Sequence, residues 1–543
     1  SSAASDVYKR QMWNNTQQKY INIENKEATN SIRGVTCLKD GSIYVNTTGQ
    51  GMKLLDINTL SLNTPSKLIG GYINPIKEKI TSFYEDNKGN LWLGCYKKGL
   101  LMVSNESKQF DFWDFSIMEK DADILSMYSD EDNSLWIGTS NGTLLNLNDK
   151  GLIRASFNIK KDISSMFEDH NGTFWLGSYE GGLISFNKKD GKCTSYRKFE
   201  GKSIVAFGED LKNNMYISIM GEGFVRYNYQ TKEWKHITDT TRLNSSRKLF
   251  NKWIGNILCD SDGLIWLAQS TGVDCYDPEK NIILDFAGNT DLRSCIAITL
   301  LEDKKHNIWI GTNNGLFCYN KNEKKLTHFG IDDGLPNNII CGLGIDKQGN
   351  IWGSTLNGIF QLNSKNKHIA CYYTGNGLVD REYSQNISIQ NKHGYIYFAG
   401  LYGITRFLPD NISAARLDYK PILTHLYLNN EAVSANKKIN RKPISKTEFR
   451  ETSNISLSYN ERSISFEFST MNFHNPENIV FEYRLLGMNE KWTSTFPGEN
   501  RITYNFLSPG TYILEVRAFE NNTYSTTNSC LLYTSPSPRD RQK

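Results

Sequence analysis

Long apolar runs are missing from this 543-residue chain: nowhere do 18 hydrophobic residues follow one another, so no stretch reads as a membrane-crossing helix. A charge bias is missing as well. The 62 basic and 58 acidic residues leave a formal net charge of +4, and most of that excess sits in the two end segments. Such a balance carries no footprint for nucleic acid. The 10 cysteines form no C-x-x-C pair and mostly lie in apolar runs, which reads as buried free thiols, not as a metal site or a disulfide framework. The eight histidines show no H-E-x-x-H and no close pair. No P-loop and no dinucleotide fingerprint occurs. No cofactor is expected, and no catalytic or metal-ligating residue is nominated. Proline is scarce at 12 residues, and apolar spacing of 3.6 is almost absent, so helices are not expected to dominate.

Glycine and aromatics are abundant by contrast. With 42 glycines and 12% aromatics the composition points to an all-β protein rich in tight turns, and 38% hydrophobic residues suffice for proper cores. The length allows roughly three domains. Residues 1–11 and 529–543 share no pattern with the body and read as non-native, adaptor-like sequence, so they are set aside.

The stretch from Phe167 to Asn187, FEDHNGTFWLGSYEGGLISFN, holds an acidic pair, two turn signals and Trp175. It could be an active site or scaffolding. Eight relatives decide the matter, because the same anatomy recurs with its aromatic at Tyr44, Trp92, Trp136, Tyr216, Trp266, Trp309, Trp352 and Tyr397. Successive anchors lie 39 to 50 residues apart, the period of propeller blades. In each copy an apolar strand ends in an acidic pair, and a Gly/Asn turn leads to a β-branched or aromatic strand. A second glycine turn and a third strand follow, and then a weakly marked fourth strand such as the one at 111–113. Three to four antiparallel strands per repeat make a blade. A residue repeated in every blade packs one sheet on the next, so Trp175 and its acidic neighbours read as architecture.

Two motif matches dissolve on the same ground. Gly138-Thr139-Ser140-Asn141-Gly142 has the form of a nucleophile elbow, but no helix follows the serine. Asp130 and Asp260 begin runs like calcium loops, but the twelfth positions are Asn141 and Thr271 where a bidentate glutamate is needed. His170, His306 and His393 all fall at or beside the same blade turn.

The repeat stops near residue 413, and about seven short alternating strands follow, as in an immunoglobulin-like sandwich. Here the residues become specific. FEYRLLG at 481–487, Trp492 and the run from Ile502 to Asn521 resemble the three-tyrosine (Y_Y_Y) domain that follows two-component regulator propellers. Tyr483, Tyr504 and Tyr512 fall on its three tyrosines, and Trp492, Pro509, Gly510 and Ala518 match too. The nine repeats resemble that family's propeller repeats, and residues 375–412 are similar to its last blade. Trp92, Trp136, Trp175, Trp266, Trp309, Trp352, Tyr397, Tyr483, Trp492, Tyr504, Gly510 and Tyr512 are thus structural motif positions; ligand contacts stay unassigned.

The resemblance implies the extracytoplasmic (periplasmic or cell-surface) ligand-sensing region of a bacterial transmembrane receptor of two-component sensor kinase type. It implies a ligand that is an oligosaccharide or another small molecule, and a homodimer formed through the C-terminal domain. It also implies membrane attachment only through a helix beyond the sandwich, with a histidine kinase or diguanylate cyclase after it. The family has fourteen blades and this chain nine. Counting back seven from Tyr397 therefore predicts a truncated first propeller of about two blades at 12–118, a seven-bladed β-propeller at 119–413 and the three-tyrosine domain at 417–528. Two rival readings stay open: a propeller enzyme of streptogramin-lyase or glycosidase type, or a carbohydrate-binding scaffold without signalling.

Overall fold

The computed structural model describes residues 11–14, 19–22, 32–47, 51–59, 61–63, 80–104, 109–115, 122–238, 243, 248–286, 288–378, 380–412, 420–439, 442–457, 463–471, 473, 476, 479–520 and 523–534. They fall into two compact units, divided between residues 413 and 414.

Seven four-stranded antiparallel sheets of the first unit form a propeller ring. Blade 2 shows the pattern, with strands Ser165–Glu168, Phe174–Ser178, Gly182–Phe186 and Cys193–Ser195 in that order. Blade 1 occupies 124–158, and blades 3 to 6 occupy 204–237, 254–284, 297–329 and 340–372. The second strand of nearly every blade is buried from end to end, as in Leu135–Thr139, Ile308–Thr312 and Ile396–Gly400. Sheets stacked on both faces demand that, which is why these segments read as continuous apolar runs without alternation.

Blade 7 corrects the expected boundary. Its first three strands are Tyr383–Gln390, Ile396–Gly400 and Gly403–Phe407, and the fourth is Asp111–Asp114 from the other end of the ring. The sequence suggested that this strand finishes the blade before it. Instead Phe112 pairs with Thr405 and Trp113 with Ile404, and Arg406 pairs with Asp111 at 3.0 Å. Trp113 packs edge-on against Tyr397, the aromatic anchor of blade 7. A ring must hide its last sheet edge, and a strand from the opposite terminus does so.

Two further blades precede the ring. The first runs through Ile32–Cys37, Ile43–Thr47, Gly51–Asp56 and Ser61–Asn63; the second is three-stranded, ending at Gly99–Val103. They stack as ring blades do: Tyr44 lies 5.4 Å from Phe83, and Glu85 accepts the Lys39 backbone N–H at 2.7 Å.

The second unit is an immunoglobulin-like sandwich. One sheet holds Glu431–Val433, Ile422–Leu428, Ser463–Ser469 and Arg501–Asn505; the other centres on Gly510–Glu520 between Val480–Leu486 and Asn528–Thr534. Leu426, Phe466 and Ile502 meet Leu485, Leu514 and Val516 in its core. Asn528–Thr534 pairs with Gly510–Glu520 on one side and runs parallel to Asn454–Leu457 on the other. Residues 529–534, set aside on sequence, therefore belong to the sheet; residues 535–543 and 1–10 lie outside the described residues. Tyr512 donates its hydroxyl to Ser508 O at 3.0 Å, a tyrosine-corner bond within the chain reversal at Pro509-Gly510. Tyr483 and Tyr504 meet edge-to-face at 6.1 Å, and Trp492 lies beneath the guanidinium groups of Arg484 and Arg517.

Candidate functional site

Antiparallel order puts the first-to-second turns of all ring blades on one face. The second-to-third turns and the blade-to-blade connections lie on the other. The two faces serve different purposes.

On the first face the recurring acidic pair holds the ring together. Asp169 accepts the backbone N–H groups of Asn171 and Thr173 with one oxygen and the Trp175 indole N–H, at 2.8 Å, with the other. The same clamp joins Asp86 to Trp92, Asp130 to Trp136, Asp260 to Trp266, Asp303 to Trp309 and Asp346 to Trp352, and Asp210 receives the Tyr216 hydroxyl. The glutamate before it reaches back one blade: Glu209 accepts the His170 N–H, and Glu302 the Ser261 N–H. A residue just after the third strand also reaches back, with Lys188 on Asp130, Tyr229 on Asp169 and Lys321 on Asp260. Burial opposes the charge of Lys321, but Asp262, Asp260 and Glu302 outweigh it and hold its pKa above the ordinary lysine range.

These bonds use up the motifs that resemble chemistry. Asp260 directs one oxygen to two backbone N–H groups and the other to an indole and an ammonium, all donors, which is no cradle for calcium. Ser261, His306 and Glu302 converge, but the single nitrogen Nδ1 of His306 faces both the serine and the glutamate. A relay needs the two ring nitrogens to face different partners. Ser140 lies in a strand-to-strand turn, where its hydroxyl accepts the Asp123 N–H.

On the second face the main chain is fixed and the side chains vary. The residue after the second strand donates its N–H to the incoming connection: Ser140 to Asp123 O, Met220 to Ser203 O, Ser270 to Trp253 O and Asn313 to Ile296 O. Tyr179 uses the Asp162 carboxylate at 2.7 Å. A rigid frame that presents different side chains from blade to blade suits recognition.

Blade 4 breaks the repeat, which the sequence reading did not detect. One third-strand position holds Leu145, Ile184, Val225, Phe317, Phe360 and Thr405 in the other six blades, each paired with the residue after the aromatic anchor. In blade 4 it is Asp274, 1% exposed. The second strand there ends in Gln269, fully buried, where blades 1, 2, 5 and 6 have Thr139, Ser178, Thr312 and Thr355. A buried carboxylate is costly unless it is hydrogen-bonded. Asp274 accepts the Phe250 N–H at 2.7 Å and the Gln269 amide at 3.0 Å, and Gln269 also donates to Asn251 O at 2.7 Å. Asn251 in turn donates to Thr271 and Ser270 and accepts the Trp253 N–H.

The pair therefore pegs the end of the connection between Ile237 and Ile254, the longest in the ring, whose Leu249 is buried in the core while Phe250 and Trp253 stay outside. Phe250 is 44% and Trp253 51% exposed. The Trp253 ring lies over Gly221, where an added Cβ would stand 3.3 Å from it and where φ is +74°. With Tyr179, Met220 and Ile296, also exposed, they give blades 2 to 5 an arc of apolar side chains interleaved with Glu222, Asn251, Ser270 and Thr271. An alignment of third strands carries the signal, since Asp274 is the one charged residue in a column otherwise made of five apolar residues and Thr405.

Comparison with known proteins gives the family context. The model of the "Y_Y_Y domain" matches residues 472–530, which contain Tyr483, Trp492, Tyr504, Gly510 and Tyr512. The model of the "Two component regulator propeller" matches residues 75–97, 119–141 and 291–314, around Trp92, Trp136 and Trp309. Histidine kinase P4 from Formosa agariphila is 26% identical over 331 residues, 60% of this chain and 23% of that protein. The chain thus spans about a quarter of the length of that curated relative. The extracellular domain assigned to the hybrid two component system BT3049 of B. thetaiotaomicron is similar at 23% identity and a TM-score of 0.78, over 97% of this chain and 70% of that one. Virginiamycin B lyase from Staphylococcus aureus is 15% identical with a TM-score of 0.45, over 55% of this chain and 97% of that one.

Proposed function

Because the chain carries two component regulator propeller repeats and a Y_Y_Y domain, we propose that it is the extracytoplasmic ligand-sensing region of a bacterial transmembrane receptor of two component type. Its ligand is an oligosaccharide, bound on the second face of the ring along the arc from Tyr179 to Ile296. The chain itself binds and relays; phosphotransfer or cyclase chemistry belongs to other parts of the receptor. Two copies associate through their sandwiches, so that a ligand favouring one arrangement of the pair shifts the receptor's output.

One observation carries the reading: in blade 4 a buried Gln269–Asp274 pair stands where other blades have a small hydroxyl residue at the strand end and an uncharged core residue, and its bonds fix a connection that exposes Phe250 and Trp253. Exposed rings beside amide and hydroxyl groups suit a sugar, which offers an apolar ring face and a rim of hydroxyls. Of these groups Ser270 and Thr271 accept the Asn251 amide and Glu222 accepts Lys202, an arrangement that favours binding over turnover.

A glycan array followed by titration calorimetry tests this. An oligosaccharide should bind, and Trp253→Ala should weaken it about tenfold or more with an unchanged melting temperature. Retained affinity in Trp253→Ala would move the site elsewhere, and an array without any binder would sink the oligosaccharide reading.

A further inference from the structure

Arg293 follows the short helix Asn289–Leu292 in the connection from blade 4 to blade 5. Its guanidinium lies 4.1 Å from the centre of the Phe250 ring, a cation–π contact that covers one face of the group. The Nε atom is buried and makes no hydrogen bond, and among the described residues no carboxylate forms an ion pair with this arginine. Three other cations of the ring are occupied by contrast: Lys321 has three carboxylates, Lys188 two, and Arg406 has Asp111.

The neighbourhood holds Arg293 where it is. The Gly272 N–H donates to Cys295 O at 2.8 Å, and Gly272 at φ +83° leaves room for the arginine stem, which would lie 3.5 Å from an added Cβ. The peg of Asp274 and Gln269 fixes Phe250, the surface on which the guanidinium rests. A half-desolvated guanidinium without an anion is costly to maintain, and its fork matches a carboxylate or sulfate in bidentate fashion.

We propose that Arg293 is an anion-recognition position, and that the ligand is an acidic oligosaccharide whose uronate carboxylate or sulfate ester pairs with it while a sugar ring stacks on Trp253. This rests on the proposed sensing function and narrows its ligand class. Phe250 serves as the positioning residue that holds the arginine flat.

The test uses the whole chain on an array of neutral, uronate-containing and sulfated oligosaccharides, with Arg293→Gln and Arg293→Lys beside wild type. The expected result is binding of uronate-containing or sulfated glycans, with affinity falling as salt rises. Arg293→Gln should lose about tenfold or more of that affinity, and Arg293→Lys should recover only part, because an ammonium lacks the fork. Circular dichroism melting of each variant separates loss of contact from loss of fold. The uronate and sulfate arms tell the two anions apart. Binding of neutral glycans that needs Trp253 and ignores Arg293 overturns this inference and leaves the sensing proposal standing. An array with no binder in any class overturns both.

Discussion

At the residue scale, one aspartate in each of seven blades, from Asp86 to Asp346, performs two tasks: it caps its own hairpin and anchors the large aromatic six positions later. The aromatic fills the space between two sheets, so its loss leaves a cavity and a buried carboxylate short of one donor. Trp352 is fully buried with its indole on Asp346. Trp352→Ala should cost about 3–5 kcal/mol in urea unfolding, well beyond a surface change such as Lys347→Ala. Asp380 provides a pH test. It is 2% exposed, and burial raises its pKa from 3.8 to about 6, against the opposing hydrogen bonds of Tyr402 and Gly403. A raised folded-state pKa means that the neutral acid is preferred in the fold. Stability from this group is therefore full below about pH 4 and lost as pH rises through about 6. Asp380→Asn should be more stable than wild type at pH 7.5 by about 3 kcal/mol in urea unfolding, with the gap closing toward pH 4.

Recurrence makes such residues legible. The Asp–Trp spacing is local, so the hairpin clamp can be read along the chain. The glutamate's partner lies one blade away, and nothing within a repeat indicates that it reaches backwards. Asp274 was visible as the one charged residue in an uncharged column, but its meaning depended on a backbone N–H 24 positions upstream.

At the element scale, the strands were legible and one partnership was not. Asp111–Asp114 follows a three-stranded blade in sequence and closes a sheet almost 300 residues later, because only closure removes the free edge of Gly403–Phe407. A chain beginning at residue 119 should therefore melt about 5 °C or more below one beginning at 105, and size-exclusion chromatography should show more aggregate. Equal behaviour of the two would show that the closing strand contributes little. Asn528–Thr534 illustrates the same rule in the sandwich, where segments without a legible pattern of their own gain structure from the strands beside them.

At the scale of the whole molecule, the two units have separate cores. The sandwich buries its own set of aliphatic and aromatic side chains, from Leu423 to Leu532. Residues 414–534 expressed alone should unfold in a single cooperative transition by circular dichroism. Analytical ultracentrifugation of the same segment addresses the proposed pairing of two copies; a monomer at high concentration would place dimer formation elsewhere.

The sequence by itself determined the all-β class, the number and order of repeats, the aromatic anchors and the three-tyrosine sandwich. These depend on period and on local turn chemistry, and both are written along the chain. Only the tertiary structure decided where the ring closes, which blade departs from the others, and which exposed side chains share a face. Each of those is a relation between residues far apart in sequence, fixed by sheet edges that must pair and by buried polar groups that must find partners.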